Sequence, residues 1–484
     1  MNNDDRLIAA AQEYVDQVWE DVVRDIDYLV QVESVEDKEL AQDGMPFGPG
    51  PAEALNRSLQ IAERLGLDAH SCEGYVGYAD LAGESAAYIS TIAHSDIVPL
   101  GKGWTVDPLR VTRKDGFLLG RGVIDDKGPL VLSLYAAHFF ARKVAAEGIK
   151  LPYTLRCIVG TNEETGMADV DYYLSHFPEP AFCFTPDASF PLICGEKGRF
   201  FAAVASKEIR DDDARILRMD GGTVANAVPQ EAEALVRACA SELPASERIA
   251  VKDAGVDDKG QPLAAIHATG RGGHAAMPEG TINAIALLVR YLVENDLCGA
   301  EERPFLDFGR RLLQDSFGKG MGIDVTDDVF DPLTCVGGTL RTEETPSGRR
   351  FVQTMDVRYP KSTDAARLLG VVERVACEHG CTITQSDDMV PFYMSPDSEE
   401  VRTLVGTYNQ ITGRNVQAFT IGGGTYARHF GRAVAFGPDD PAYPNPDWVG
   451  IEHGPDEGVS EEALKRALVI YVVSIARLMR LDLG

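Results

Sequence analysis

Three short apolar and β-branched runs, AAYISTIAH, YTLRCIVGT and AFCFTP, read as buried strands, and each is closed by residues that could hold a metal. Between the first two, Pro129 opens a heavily apolar stretch to Glu147 that reads as a helix, since proline sits well in a first turn. Near the end of the chain, Ser460 is placed to cap a helix carrying Leu464, Leu468, Tyr471, Ile475 and Leu478 at helical spacing. Strands alternating with helices demand an α/β architecture. The expectation is an α/β/α catalytic domain built on a mixed, largely parallel sheet.

The middle of the chain reads differently. From Glu196 to Phe392 come glycine-bounded strands such as AAIHATG and FVQTMDVRYP, with acidic turns such as IRDDDAR and DAGVDDKGQ. The α/β pattern then resumes at SEEVRTLVGTYNQITG. This implies a catalytic domain in two pieces, 1–195 and 393–484, interrupted by an α+β lid domain at 196–392.

Of 484 residues, 44% are hydrophobic, enough for real cores, but the formal net charge is -29. That excess argues against nucleic acid or anionic membrane as a partner, because both require positive surface. The start, MNNDDRLIAAAQEYV, lacks the basic and apolar pattern of a secretory signal, and the apolar run Ala467 to Ile475 is about half of a membrane span. Nine cysteines without close pairing read as reduced thiols, so the expected location is cytoplasmic.

In open α/β sheets, functional groups collect at the carboxyl ends of the strands. Here those ends carry His94 and Asp96 in AHSD, Glu163 and Glu164 in TNEE, and Asp187 in TPDAS. Asp125 and Asp126 precede the helix in GRGVIDDKGP, and His453 stands in IEHGPDEG. Each taken alone is ordinary: an acidic loop, a capping turn, a surface histidine. Their convergence on one sheet edge is not. Three carboxylates, a hydroxide and two neutral imidazoles balance two divalent cations, so Asp125, Glu164, Asp187, His94 and His453 form a dinuclear ligand set in which one residue can bridge. Mixed nitrogen and oxygen donors favour zinc, with manganese or cobalt as alternatives. Asp96 is then free to orient the His94 imidazole, and Glu163 to move protons.

In order and context, AHSD, GRGVIDDKG, TNEETG, TPDASFPLICGEKG and HGPDE resemble the dinuclear metallopeptidases of the aminoacylase and carboxypeptidase G type. Within that group DDKGP, GEKGR, DVRYP and IGGGTYAR look most like the bacterial peptidase V-type dipeptidases, which are related to carnosinases. The resemblance implies that Asp125 bridges the metals and that its peptide bond to Asp126 is cis. It implies His94 and Asp187 on one metal, Glu164 and His453 on the other, and Glu163 as general base. It also implies that His274 in GRGGHAAMPEG polarises the scissile carbonyl, that Asn226 in GGTVANAVPQ and Arg358 in DVRYP bind substrate, and that Gly423, Gly424 and Thr425 line the same pocket. Asn162 departs from the pattern, which more often has aspartate before the glutamate pair.

The expected activity is hydrolysis of dipeptides by a metal-bridging hydroxide with Glu163 as base. The rivals are an N-acyl-amino-acid deacylase or desuccinylase of the same architecture, and an inactive metal- or peptide-binding relative. The size of the lid, about two ordinary lids of the family, favours a monomer over a homodimer.

Overall fold

The three strands form, as Gly83–His94, Leu151–Gly160 and Phe182–Thr185. A computed structural model describes residues 3–483. The strand Gly83–His94 lies parallel between the other two, with His94 beside Gly160 and Thr91 beside Phe184. A fourth parallel strand, Ala433–Ala435, extends the sheet beside Phe182–Thr185. On the other side Val76–Leu81 and then Asp68–Cys72 are added antiparallel. The sheet is mixed and largely parallel. Because its four central strands run one way, their carboxyl ends share one edge.

The helix after Asp126 spans Lys127–Glu147, starting two residues before Pro129. Leu130 N–H donates the first helical bond to Asp126 O at 2.8 Å, so Pro129 lies among first-turn positions that need no amide hydrogen. Gly148, at φ +64°, ends it in the left-handed conformation and donates to Val144 O at 3.0 Å. The last helix, Glu461–Leu478, buries Leu464, Leu468, Tyr471, Ile475 and Leu478 as their spacing requires. Ser460 stands at its N-cap, but its side chain makes no capping bond; Glu461 N–H instead donates to Gly116 O at 2.9 Å. These two helices pack with Asn3–Val30 into the main apolar core on one face of the sheet. The helix Ala168–His176 and the short turn Tyr426–His429 complete the α/β/α layering.

The chain separates into two compact units. The first comprises Met1–Gly195, Tyr393–Phe419 and Gly424–Gly484; the second comprises Glu196–Phe392 and Thr420–Gly423. The second is an antiparallel, β-rich insertion. Its sheet runs Ile249–Val256, Pro262–Thr269, Glu231–Arg237, Ile216–Gly221, Leu340–Thr345, Gly348–Tyr359, Gly198–Ala205, Thr382–Met389. Burial alternates along Glu231–Arg237: Ala232, Ala234 and Val236 face the core while Glu231 and Glu233 face water. The helices Ala284–Glu294, Arg303–Leu312 and Ala365–Glu378 supply the rest of that core. The segment Thr420–Gly423 joins this unit through Lys197 N–H to Ile421 O at 2.9 Å and Thr420 Oγ1 to Val329 O at 3.0 Å. Among the described residues no helix is long and apolar enough to cross a membrane.

Candidate metal centre

His94 is the last residue of its strand and is fully buried. Asp187 follows Thr185 by two residues, its N–H donating to Thr185 Oγ1 at 3.2 Å. Glu163 and Glu164 begin a short turn just past Gly160, and the Asp125–Asp126 peptide, which is cis, leads into the helix at Lys127. His453 lies in a loop before the last helix, half exposed and at φ +63°. All six side chains converge. Asp125 sits between the two imidazoles, Oδ1 at 3.0 Å from His94 Nε2 and Oδ2 at 2.8 Å from His453 Nε2. Asp187 Oδ2 is 3.6 Å from His94 Nε2, and Glu164 Oε2 is 3.3 Å from His453 Nε2.

Among the described residues two groups have donor atoms mutually within 4.8 Å: His94 with Asp125 and Glu164, and His94 with Glu163 and Asp187. Glu163, read from the sequence as a proton carrier, thus also stands within ligand distance.

The charges in this pocket do not balance within the polypeptide. Burial, then Asp187, Glu164 and Asp125, push the Glu163 carboxyl well above its ordinary range. Burial also raises Glu164 and Asp187. Burial alone would raise Asp125 too, but bonds to His453 and His94 hold it below the carboxylate range. The imidazoles respond in turn. Asp125 and Glu164 push His453 up to about 11, and Asp125, Asp187 and Asp96 hold His94 well above its usual value despite burial. Nearby cations are turned away: Arg121 pairs with Glu457, and Lys127 Nζ donates to Val32 O at 2.7 Å. Glu164 Oε1 is buried without a hydrogen-bond partner. An excess of buried carboxylate, an orphaned oxygen and a mixed imidazole–carboxylate donor set fit a pair of divalent cations. This is a dinuclear metal-binding site.

The turns that carry these donors are held by further hydrogen bonds, some of them to groups the sequence reading did not single out. Asp96 was expected to bond the His94 ring. The Asp96 carboxylate lies 3.4 Å from His94 Nδ1, and the main-chain oxygen of the same residue lies nearer, at 3.0 Å. That carboxylate accepts the amides of Glu163 at 3.3 Å and Glu164 at 3.1 Å, tying two strand ends together. Asp169 accepts the amides of Thr161 and Asn162 and the Tyr426 hydroxyl. Asn162 donates through Nδ2 to Glu36 at 3.1 Å and accepts Ala168 N–H through Oδ1 at 3.1 Å. An aspartate there would face Glu36 with two acceptors, which accounts for the amide.

In the second unit, His274 pairs with Ala227 in a two-stranded ribbon, and Ala275 N–H donates to Asn226 O at 2.9 Å. Ala276 N–H donates to His274 Nδ1 at 3.2 Å, which places the ring hydrogen on Nε2. Burial and then Arg358 lower the His274 pKa, so the ring stays neutral. Arg358 is buried, bonded to Asp356 through Nε at 2.6 Å and Nη2 at 3.3 Å, and to Gly422 O through Nη1 at 3.3 Å. Asp356 also accepts from Arg199 at 3.2 Å. A Cβ on Gly422 would stand 2.8 Å from that of Ala276, so the backbone approach there requires glycine. The boundary between units falls inside the glycine-rich loop: Gly423 belongs to the second, Gly424 and Thr425 to the first. Thr425 Oγ1 accepts Ala427 N–H at 3.1 Å.

Residues 91–477 match the model of peptidase family M20/M25/M40. The chain belongs to that family. It is 30% identical over 470 residues to the Beta-Ala-Xaa dipeptidase of Lactobacillus delbrueckii subsp. lactis, covering 95% of this chain and 96% of that one. The fold resembles an M20 family metallo-carboxypeptidase from Sulfolobus solfataricus, with TM-score 0.57 at 14% identity, covering 95% of this chain and 99% of the other. It also resembles human carnosine dipeptidase 1, with TM-score 0.55 at 14% identity over 98% and 100% of the two chains. This M20 peptidase is therefore related to a bacterial dipeptidase, and its site is consistent with metal-dependent hydrolysis.

Proposed function

We propose that this M20 peptidase is a dinuclear dipeptidase of the peptidase V type, acting as a monomer in the cytoplasm. The observation that carries the reading is Asp125, whose two oxygens face His94 and His453 separately. Asp125 would be shared by two ions, with His94 and Asp187 completing one shell and Glu164 and His453 the other. Bound there, zinc, manganese or cobalt would polarise the scissile carbonyl and bring the pKa of water from 15.7 towards roughly 7.

The chain's own residues do the rest. Glu163 accepts the proton of the attacking water on its carboxylate and returns it to the departing amine nitrogen. His274, neutral and carrying its hydrogen on Nε2, is suited to donate to the carbonyl oxygen as charge builds there. Arg358, its plane fixed by Asp356, would bind the C-terminal carboxylate, with Asn226, Gly423, Gly424 and Thr425 lining the substrate pocket. A cavity of about 140 Å³ beside Asp125 and Asp187 is also lined by Asp439 and Glu452. That acidic lining suits a free ammonium better than an acylated amine, which favours dipeptides over N-acyl amino acids. Nine free cysteines support a reducing compartment.

The test is hydrolysis of unblocked dipeptides before and after chelation, with N-acetylated forms in parallel. Cleavage should vanish on chelation and return with zinc, manganese or cobalt, and acetylation should suppress it. Equal cleavage of acetylated substrates would move the assignment to a deacylase.

A further inference from the structure

Arg121 and Glu457 form an ion pair that is almost wholly buried, at 1% and 0% side-chain exposure. A buried pair of this kind contributes little net stability over an apolar pair of similar volume. Its partners here suggest another use. Glu457 Oε1 reaches under the turn that carries Asp125 and accepts the amides of Gly122 at 2.9 Å, Ile124 at 3.4 Å and Asp125 itself at 3.4 Å. Arg121 Nη2 donates to the main-chain oxygen of His453 at 3.1 Å and to Leu100 O at 3.5 Å. The guanidinium lies 5.2 Å from the centre of the Trp104 ring. One neutral unit therefore grips the backbone at Asp125 with one partner and at His453 with the other.

His453 needs such a hold. Its side chain is 53% exposed, and its backbone stands in the left-handed region that costs a non-glycine residue energy. A second tie, from Thr105 to the Asp456 carboxylate at 2.7 and 2.8 Å, fixes the loop three residues further on. The His94 side is held separately, through His94 N–H to Asp126 Oδ2 at 3.0 Å.

We propose that Arg121 and Glu457 are a positioning pair that sets the separation of Asp125 from His453. They thereby act chiefly on the ion held by Glu164 and His453, because Asp125 would serve both ions while His453 would serve only that one. This rests on the metal assignment above. Groups that orient ligands typically change metal affinity about 10- to 100-fold when altered.

The experiment is zinc titration of the metal-free protein against a chromophoric chelator, with thermal unfolding of the same metal-free samples. Glu457→Gln keeps the shape of the carboxylate and removes its charge. Arg121→Lys keeps the charge beside Glu457 and gives up the fork that also reaches His453. If Glu457→Gln does not fold, Arg121→Lys decides alone. The pair is supported if one of two zinc steps weakens about 10- to 100-fold while the other stays within about 3-fold, and if the metal-free Arg121→Lys protein melts like wild type. It is overturned if both steps match wild type, or if both weaken together in step with a lower melting temperature. Wild-type protein that takes up fewer than two zinc ions would instead overturn the metal assignment, and the pair with it.

Discussion

The two units manage charge in opposite ways. In the first, four carboxylates and two imidazoles crowd one pocket, and among the described residues Asp125, Glu164 and Asp187 make their ion pairs with His94 and His453. In the second, Arg358 is already matched by Asp356, and His274 is held neutral. The first arrangement is unfinished without ions. The second is complete in the polypeptide, and suits recognition and polarisation of a substrate rather than metal binding. The dinuclear site and the proposed substrate-holding surface thus have distinct electrostatic signatures, and each can be attacked separately.

The sharpest attack is on the glutamate pair of the first unit. Glu163→Ala should cut kcat by about 10²- to 10⁴-fold while metal analysis still finds two ions per chain, whereas Glu164→Ala should lose metal. Wild-type turnover in the first variant would remove Glu163 from the chemistry. The corresponding change in the second unit, His274→Ala, should lower kcat by about 10²- to 10³-fold, the usual cost of a lost oxyanion donor. Its metal content should not move; if it fell, the contrast between the units would collapse.

Arg358→Ala should act chiefly on substrate selection. A charge-assisted bond is worth about 1.5–3 kcal/mol, so a free C-terminal carboxylate should be preferred about 10- to 100-fold over its amide by the wild type and scarcely at all by the variant. Equal cleavage of both by the wild type would mean that another group anchors the carboxylate. Arg199, which shares Asp356, would be the next to test. The smallest effect is expected at Asn162→Asp. It removes the donor to Glu36 and sets two carboxylates face to face, costing about 1–3 kcal/mol of stability in urea unfolding with little change in mechanism.

The donors of the first unit were legible because parallel strands deliver their ends to one edge, so His94, Glu163, Glu164 and Asp187 could be grouped from strand endings alone. Asp125 and His453 joined them by charge balance. The second unit offered no such rule. In antiparallel strands the ends alternate, and His274, Asn226 and Arg358 were found by resemblance. Asp356 escaped notice although it lies two residues from Arg358 on the same strand face, a spacing that does signal a same-face pair. Arg121 and Glu457 sat inside recognised motifs, but a side chain that binds backbone amides across some 330 residues leaves no local pattern. The missing cap at Ser460 has the same cause: Gly116, far away in sequence, supplies the acceptor that decides how the helix begins.

The interrupted course of the first unit has a consequence for synthesis. Its early helices, Asn3–Val30 and Lys127–Glu147, bury apolar faces against Glu461–Leu478, which emerges only after the whole of the second unit has been made. At about 5–20 residues per second, the nascent helix Lys127–Glu147 waits roughly 15–65 s for Glu461–Leu478 to begin to emerge. The ribosome thus finishes the intervening unit first, and a chaperone that shields apolar helices has most to do during that interval.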